Sequence, residues 1–456
     1  MGTEPEQVRE GQRPVTDARP AFLEGTPVIA RVRHRRWPDL GEAEHAAVAA
    51  VLTRGILSGA RAPESLRFEA EFATFIGAKH ALLTHSGTSA LHLALAAAGI
   101  RAGDHVIVPA YSFVATPLAV LLAGAIPVFV DVDEATGLLD LDAAAAAISP
   151  RTRGIMPVHV HGCAVDMTAV NALARRHGLV VVEDAAQAHG ATWDGAPVGA
   201  LGAAGGFSLQ SSKNLGVGEG GVLVTNDDTI AERADALRNF GQAQARKGAA
   251  LDPARPLDGG RPPPSTAIGA MYRGNEVAAA LARTALVKLP ERTLRCQDNA
   301  ARLSRALADL PGVLAPHVPA GSTSVHHKFR VRLDVERAGL DVAPRFLRDA
   351  MILALQAEGL EVVLWQTDPL PAHPIFQSRS GHGDGWPWST DRETPFDTLY
   401  APDRFPHTAR LLDGSFLLFS QSCPLIAQDA DTVDAYAEAF RRVWSHRSEL
   451  PGVVTG

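Results

Sequence analysis

The chain has 456 residues, of which 46% are hydrophobic and 20% charged, and a formal net charge of −7. That length allows two or three domains, no apolar run is long enough to cross a bilayer, and the acidic balance lacks the broad basic footprint that nucleic acid requires. Three cysteines, Cys163, Cys296 and Cys423, stand far apart without zinc or dithiol spacing and read as buried thiols of a reduced compartment.

The opening MGTEPEQVREGQRPVTDARP mixes both charge signs and has no apolar signal-peptide core, so a cytoplasmic protein with a frayed first twenty or so residues is expected. From about Leu40 helical and strand patterns alternate, which predicts an α/β fold with a mainly parallel sheet. Glu42 to Leu57 and Glu64 to Ile76 read as helices, Ala81 to Thr84 as a strand, and Ser89 to Ala98 as an alanine-rich helix. The rhythm continues with strand 105–108, helix 115–123, strand 126–131, helix 141–147, strand 154–159, helix 167–177 and strand 179–184. These strands are continuous apolar runs, as expected where both faces are covered, and ligands of such sheets bind at the carboxyl ends of the strands.

Residues 207–227, FSLQSSKNLGVGEGGVLVTND, set Lys213 among small residues and glycines between two strand-like stretches. A partly desolvated lysine favours its neutral amine, a nucleophile towards aldehydes and a proton shuttle; an isolated lysine in such a loop is more often a surface turn residue. Residues 242–268 form a long connection rich in proline, glycine and arginine, and Asn275 to Val287 reads as a helix. Past about Arg292 the composition shifts to charged helices and short strands. The organisation expected is an arm over 1–40, a large domain over 41–291 and a smaller domain over 292–456, in which Trp386-Pro387-Trp388 and Pro402 to Pro406 read as surface excursions.

Each motif falls at a strand end. Asp184 in VVVEDAAQAHGA ends a buried strand, where a carboxylate suits a cationic partner such as a pyridinium N–H and equally suits an N-cap. Gly87-Thr88 opens a helix and offers free N–H groups and a hydroxyl to a phosphate, with Ser208 as a second hydroxyl, although an ordinary cap looks the same. Phe113 in PAYSFVAT follows its strand as a ring cover or a core residue. His159, His161 and His189 lie near the same ends as core or substrate-facing groups.

In this order and spacing, GTSAL, PAYSFVAT, VVEDAAQAHGA and FSLQSSKNLGVGEGG resemble the DegT/DnrJ/EryC1/StrS family of pyridoxal-phosphate-dependent aminotransferases, over about Phe22 to Trp444. The resemblance implies the fold type I architecture and pyridoxal 5'-phosphate as cofactor. It implies Lys213 as the Schiff-base lysine, Asp184 on the pyridine nitrogen, Gln187 near the ring hydroxyl, Phe113 stacked on the ring, and Gly87, Thr88 and Ser208 on the phosphate. No metal is implied. It also implies a homodimer whose active sites lie at the subunit interface, reached by a segment that here reads Gly269-Ala270-Met271-Tyr272-Arg273-Gly274-Asn275-Glu276. In that segment Met271 replaces the family's asparagine and Arg273 remains a partner for phosphate or a substrate carboxylate.

With lysine and not histidine at 213, the resemblance implies transamination from glutamate or glutamine to a keto acceptor. Glu24-Gly25-Thr26-Pro27-Val28, Trp37-Pro38 and Gln210 resemble the subgroup acting on keto-cyclitols in aminocyclitol or related antibiotic biosynthesis, with a nucleotide-linked 3- or 4-keto sugar as the other acceptor. A dehydrogenase is disfavoured because the glycine fingerprint after the first strand is missing, whereas a non-catalytic regulator binding the same cofactor would share every motif.

Overall fold

The computed structural model describes residues 19–31, 33–242 and 264–454. The frayed first residues and most of the 242–268 connection expected above lie outside those described.

The five strands read from the sequence are β1 (His80–Thr84), β2 (His105–Pro109), β3 (Ile126–Val130), β4 (Thr152–Ile155) and β5 (Val180–Asp184). A short hairpin of β6 (Thr192–Trp193) and β7 (Ala196–Pro197) then leads to β8 (Ala204–Ser208) and β9 (Gly221–Thr225). Seven of these form one sheet in the order β1-β9-β8-β5-β4-β2-β3. The strands from β8 to β3 across the sheet run parallel, and β9 runs antiparallel to both its neighbours. Every residue of β2, β3, β8 and β9 is buried, as an apolar run without alternation should be.

The helices are α1 (Glu42–Arg54), α2 (Pro63–Ile76), α3 (Gly87–Ala97), α4 (Ala115–Leu122), α5 (Leu141–Ala146), α6 (Met167–His177), α7 (Asp228–Leu237) and α8 (Glu276–Leu307). Residues of α3, α4 and α7 pack with β2 and β3 in one core, while α2 and α8 join β1 and β9, and α5 and α6 join β4, in the others. Helix α1 stops at Arg54, short of Leu57, because Gly55 takes a left-handed φ of 74°. Helix α3 starts at Gly87, two residues before Ser89, because the Ser86 hydroxyl accepts the Ser89 N–H at 3.1 Å.

A second sheet, β10 (Val313–Leu314), β11 (Phe329–Leu333), β12 (Val362–Val363) and β13 (Ser415–Leu418), is antiparallel throughout, in the order β10-β11-β13-β12. Helices α9 (Pro344–Ala357) and Ala430–Ser445 share its core, into which Val28 and Trp37 of the N-terminal arm also pack. The boundary expected near Arg292 falls inside α8, which runs through Pro290 to Leu307 because Leu289, Cys296, Ala300, Leu303 and Leu307 keep a buried stripe at helical spacing.

The expected surface excursions are corrected by burial at their aromatic residues, whereas Pro402–Arg404 and Pro406 are exposed as expected. Trp388, Tyr400 and Phe405 are at most 4% exposed and belong to the same core as β2 and β3, with the Tyr400 hydroxyl donating to the Pro127 carbonyl. Proline-rich sequence breaks helices and strands, but it does not keep aromatic surface out of a core.

Candidate active site

The carboxyl ends of β1, β2, β5 and β8 open into one cavity of about 360 Å³. Ser86, Gly87 and Thr88 enter it from the start of α3, Phe113 from the loop after β2, and Asp184 and Gln187 from the end of β5. Ser208, Gln210, Ser212 and Lys213 follow from β8, and His327, Lys328 and Trp365 from the second sheet. The structure thus gathers Gly87, Thr88, Phe113, Asp184, Gln187, Ser208 and Lys213 around one space. Arg273 is elsewhere: it does not line this chain's cavity, its guanidinium donates to Asn239 at 2.7 Å, and it lies 5.8 Å from the centre of the Phe240 ring.

Asp184 is 5% exposed. One of its oxygens accepts the Thr116 hydroxyl at 2.7 Å and the other the Ala186 N–H at 3.1 Å. Burial raises its pKa, opposed by these two donors and by the charge of Lys213. Burial in turn lowers the Lys213 amine to about 8, opposed by Asp184. The two groups are pushed towards their neutral forms by the same dry surroundings and held towards their charged forms by each other.

The backbone of Lys213 is fixed on three sides. Its N–H donates to the Gln210 carbonyl at 2.8 Å, and its own carbonyl accepts the Trp37 indole N–H at 3.0 Å. Next in the chain, the Asn214 amide donates to the Val325 carbonyl at 3.0 Å. Gln210 closes the turn by accepting the Ser212 N–H and hydroxyl at 2.8 and 2.7 Å. Gly216 is needed because a Cβ there would stand 2.2 Å from the Ser211 carbonyl oxygen.

At the far end, a Cβ on Gly87 would stand 2.8 Å from the Cβ of Ser208, so the start of α3 and the end of β8 lie in direct contact. Helix N–H groups and the hydroxyls of Thr88 and Ser208 therefore converge there, a donor set that suits a phosphate. Gln187 gives its carbonyl oxygen to the His161 N–H at 2.8 Å, which leaves the amide nitrogen for a ligand. Phe113 is 53% exposed at the cavity mouth. A phosphate cradle, a buried carboxylate, a lysine whose amine pKa is lowered to about 8 and an uncovered aromatic ring, all on one cavity, fit pyridoxal phosphate.

The profile of the DegT/DnrJ/EryC1/StrS aminotransferase family matches residues 38–392. The chain belongs to that family. It is 35% identical over 439 residues to the L-glutamine:scyllo-inosose aminotransferase of Streptomyces griseus, covering 94% of this chain and 98% of that one. It is 38% identical over 342 residues to the dTDP-3-amino-3,4,6-trideoxy-alpha-D-glucose transaminase of Streptomyces venezuelae, covering 75% and 82%. The crystal structure of 3-amino-5-hydroxybenzoic acid synthase superposes with a TM-score of 0.77 at 28% identity, over 91% of this chain and 99% of that one. This aminotransferase is an α/β protein of the fold type I architecture and uses pyridoxal phosphate.

The three histidines near the strand ends do not line the aminotransferase's cavity. His159 pairs with Glu183 at 3.0 Å and accepts the Val165 N–H, His161 meets the Tyr111 hydroxyl at 2.7 Å, and His189 packs against the Phe207 ring. Thr116, His327, Lys328 and Trp365 are site residues with no sequence-level signal of their own. For Thr116 the position one helical turn after Ser112 in PAYSFVAT was the available hint; the Ser112 and Thr116 hydroxyls are 2.7 Å apart.

Proposed function

We propose that this aminotransferase carries an amino group from glutamine or glutamate to the ketone of a cyclitol, as a step in making an aminocyclitol natural product. The observation that carries the chemistry is the opposition of Lys213 and Asp184 across one cavity, each shifted by the other's charge. Pyridoxal phosphate, when bound, supplies an aldehyde that carries the amino group and a ring that draws electrons from the donor's α-carbon.

In this reading Lys213 would hold the cofactor through its aldehyde and would move the proton of the donor's α-carbon. An amine with a pKa near 8 suits both tasks at neutral to mildly alkaline pH. Asp184 keeps a negative charge beside the ring nitrogen through the Thr116 hydroxyl and the Ala186 N–H. The start of α3, Thr88 and Ser208 hold the phosphate, Gln187 offers its amide nitrogen to the ring hydroxyl, and Phe113 covers the ring. The acceptor ketone would receive the donor's amino group in a second half-reaction at the same residues.

The active form is a homodimer in which Arg273 serves the partner's site. Its absence from this chain's own cavity supports that role, as do Phe240, Ile268 and Met271, which leave an apolar patch 46%, 99% and 49% exposed beside it. Compartment follows composition: a cytoplasmic enzyme. Among the described residues no helix is long and apolar enough to cross a membrane.

For the acceptor, the near end-to-end match to the scyllo-inosose enzyme and the likeness to the aminobenzoate synthase support a carbocyclic ketone. The match to a dTDP-sugar transaminase favours a nucleotide-linked keto sugar as the second reading. Purified holoenzyme with L-glutamine should aminate scyllo-inosose and leave a dTDP-linked 3-keto sugar unchanged, read by mass spectrometry of the products. The opposite preference overturns the cyclitol assignment, and a cofactor band that neither glutamine nor glutamate bleaches would identify a binding protein in place of an enzyme.

A further inference from the structure

Lys328 stands one residue before β11, is 6% exposed, and lines the cavity with Lys213. Among the described residues no carboxylate, carbonyl or hydroxyl partners its Nζ. A buried ammonium without a counterion is expensive to keep, and such a group is normally retained where a ligand supplies the missing charge. Burial lowers its pKa to about 8, and the charge of Lys213 is the second cause, which puts the two amines within each other's field.

The surroundings narrow what that ligand is. The acidic residues lining the cavity are Asp184, held by Thr116 and Ala186, and Glu219, which is exposed. His327, next to Lys328, is kept neutral by burial and held near Asn214, with the ring nitrogen 3.4 Å from the amide oxygen. The phosphate cradle has its own donors at the start of α3. A cyclitol ketone brings no charge, but an amino-acid donor always brings a carboxylate on the carbon whose proton Lys213 must move. A cation facing the same space as Lys213, fixed through Asn214 and residues 325–327, is placed for that carboxylate.

We propose that Lys328 binds the carboxylate of the amino-acid donor and so selects the donor class, a carboxylate-bearing amino acid as against a simple amine. The assignment rests on the donor half of the function proposed above. The test uses holoenzyme and the variants Lys328→Met and Lys328→Arg. The first half-reaction is followed from the cofactor absorbance at increasing L-glutamine, and glutarate, a dicarboxylate with no amine, is titrated calorimetrically. Lys328→Met should weaken half-saturation by glutamine and binding of glutarate by about 10- to 100-fold, the range for a hydrogen bond to a charged group. The rate at saturating glutamine should change little, and Lys328→Arg should recover most of the affinity.

Because Met removes a buried unpaired charge, its melting temperature should not fall. Unchanged affinity in Lys328→Met, a loss confined to the saturating rate, release of the cofactor, or a wild-type enzyme that binds no glutarate would each overturn the proposal. Neither titration contains a ketone, so an error in the acceptor assignment leaves the result intact and is seen only in the amination assay.

Discussion

Replacing Thr116 by valine removes one hydroxyl and keeps the shape of the side chain. That hydroxyl donates to Asp184 at 2.7 Å, is 2.7 Å from the Ser112 hydroxyl, and leaves the Ala186 N–H at 3.1 Å as the other neutral donor to the carboxylate. A hydrogen bond to a charged group contributes about 1.5–3 kcal/mol. The bond stabilises the charged form, so its loss moves the Asp184 pKa further up, in the direction that burial already pushes it. Below the raised value the carboxylate is protonated and no longer balances a cationic ring nitrogen. The donor half-reaction, followed from the cofactor absorbance, should therefore slow by about 10- to 100-fold at its most affected pH and recover as the pH rises. A deficit equal at every pH would give Thr116 a packing role only, and the absence of a deficit would mean that the Ala186 N–H and the ring suffice to hold Asp184.

Lys213→Ala should abolish turnover while leaving circular dichroism and the melting temperature near wild type, because the turn around it is held by backbone groups and by Trp37 and Gln210. Mixed one to one with Arg273→Ala, it should regain about a quarter of wild-type activity if the arginine serves the partner's site, since half the dimers then carry one intact site; activity that stays at background would place Arg273 outside the partner's chemistry. Asp184→Ala should depress the rate far more than Thr88→Ala, which should chiefly speed loss of the cofactor on dilution, and equal effects on rate would reverse the roles. Capture of pyridoxal phosphate by the cofactor-free enzyme requires the neutral amine of Lys213, so its rate should rise with pH through a midpoint near 8 and level above it. A midpoint near the value of a free lysine would contradict the buried setting.

The large sheet was legible because its parallel strands are short apolar runs, and the motifs were legible because each sits a few residues beyond a strand. Two kinds of feature were not. One depends on where a chain returns after a long excursion: Trp388, Tyr400 and Phe405 fill the core beside β2 and β3, and nothing local in a proline-rich stretch announces that docking. The other is a site residue supplied from far downstream. His327 and Lys328 sit in VHHKFRVRL, where a histidine and a lysine before an alternating strand look like ordinary edge polarity, and it is long-range contacts, among them those of Asn214 with Val325 and His327, that bring them to Lys213. The reach of α8 exceeds the helix expected over Asn275 to Val287: it continues through Pro290, because the buried stripe on both sides outweighs one lost hydrogen bond.

The tethers around Lys213 come from three places in the chain: the indole of Trp37, the carbonyl of Gln210, and, through Asn214, the Val325 strand approach. Grafting the C-terminal half of a relative onto this scaffold to alter its substrate range would therefore exchange one of the struts that aim the reactive amine. Chimeras cut between the two sheets should lose turnover before they lose folding, and those that carry the matching arm and turn residues along with the graft should fare best.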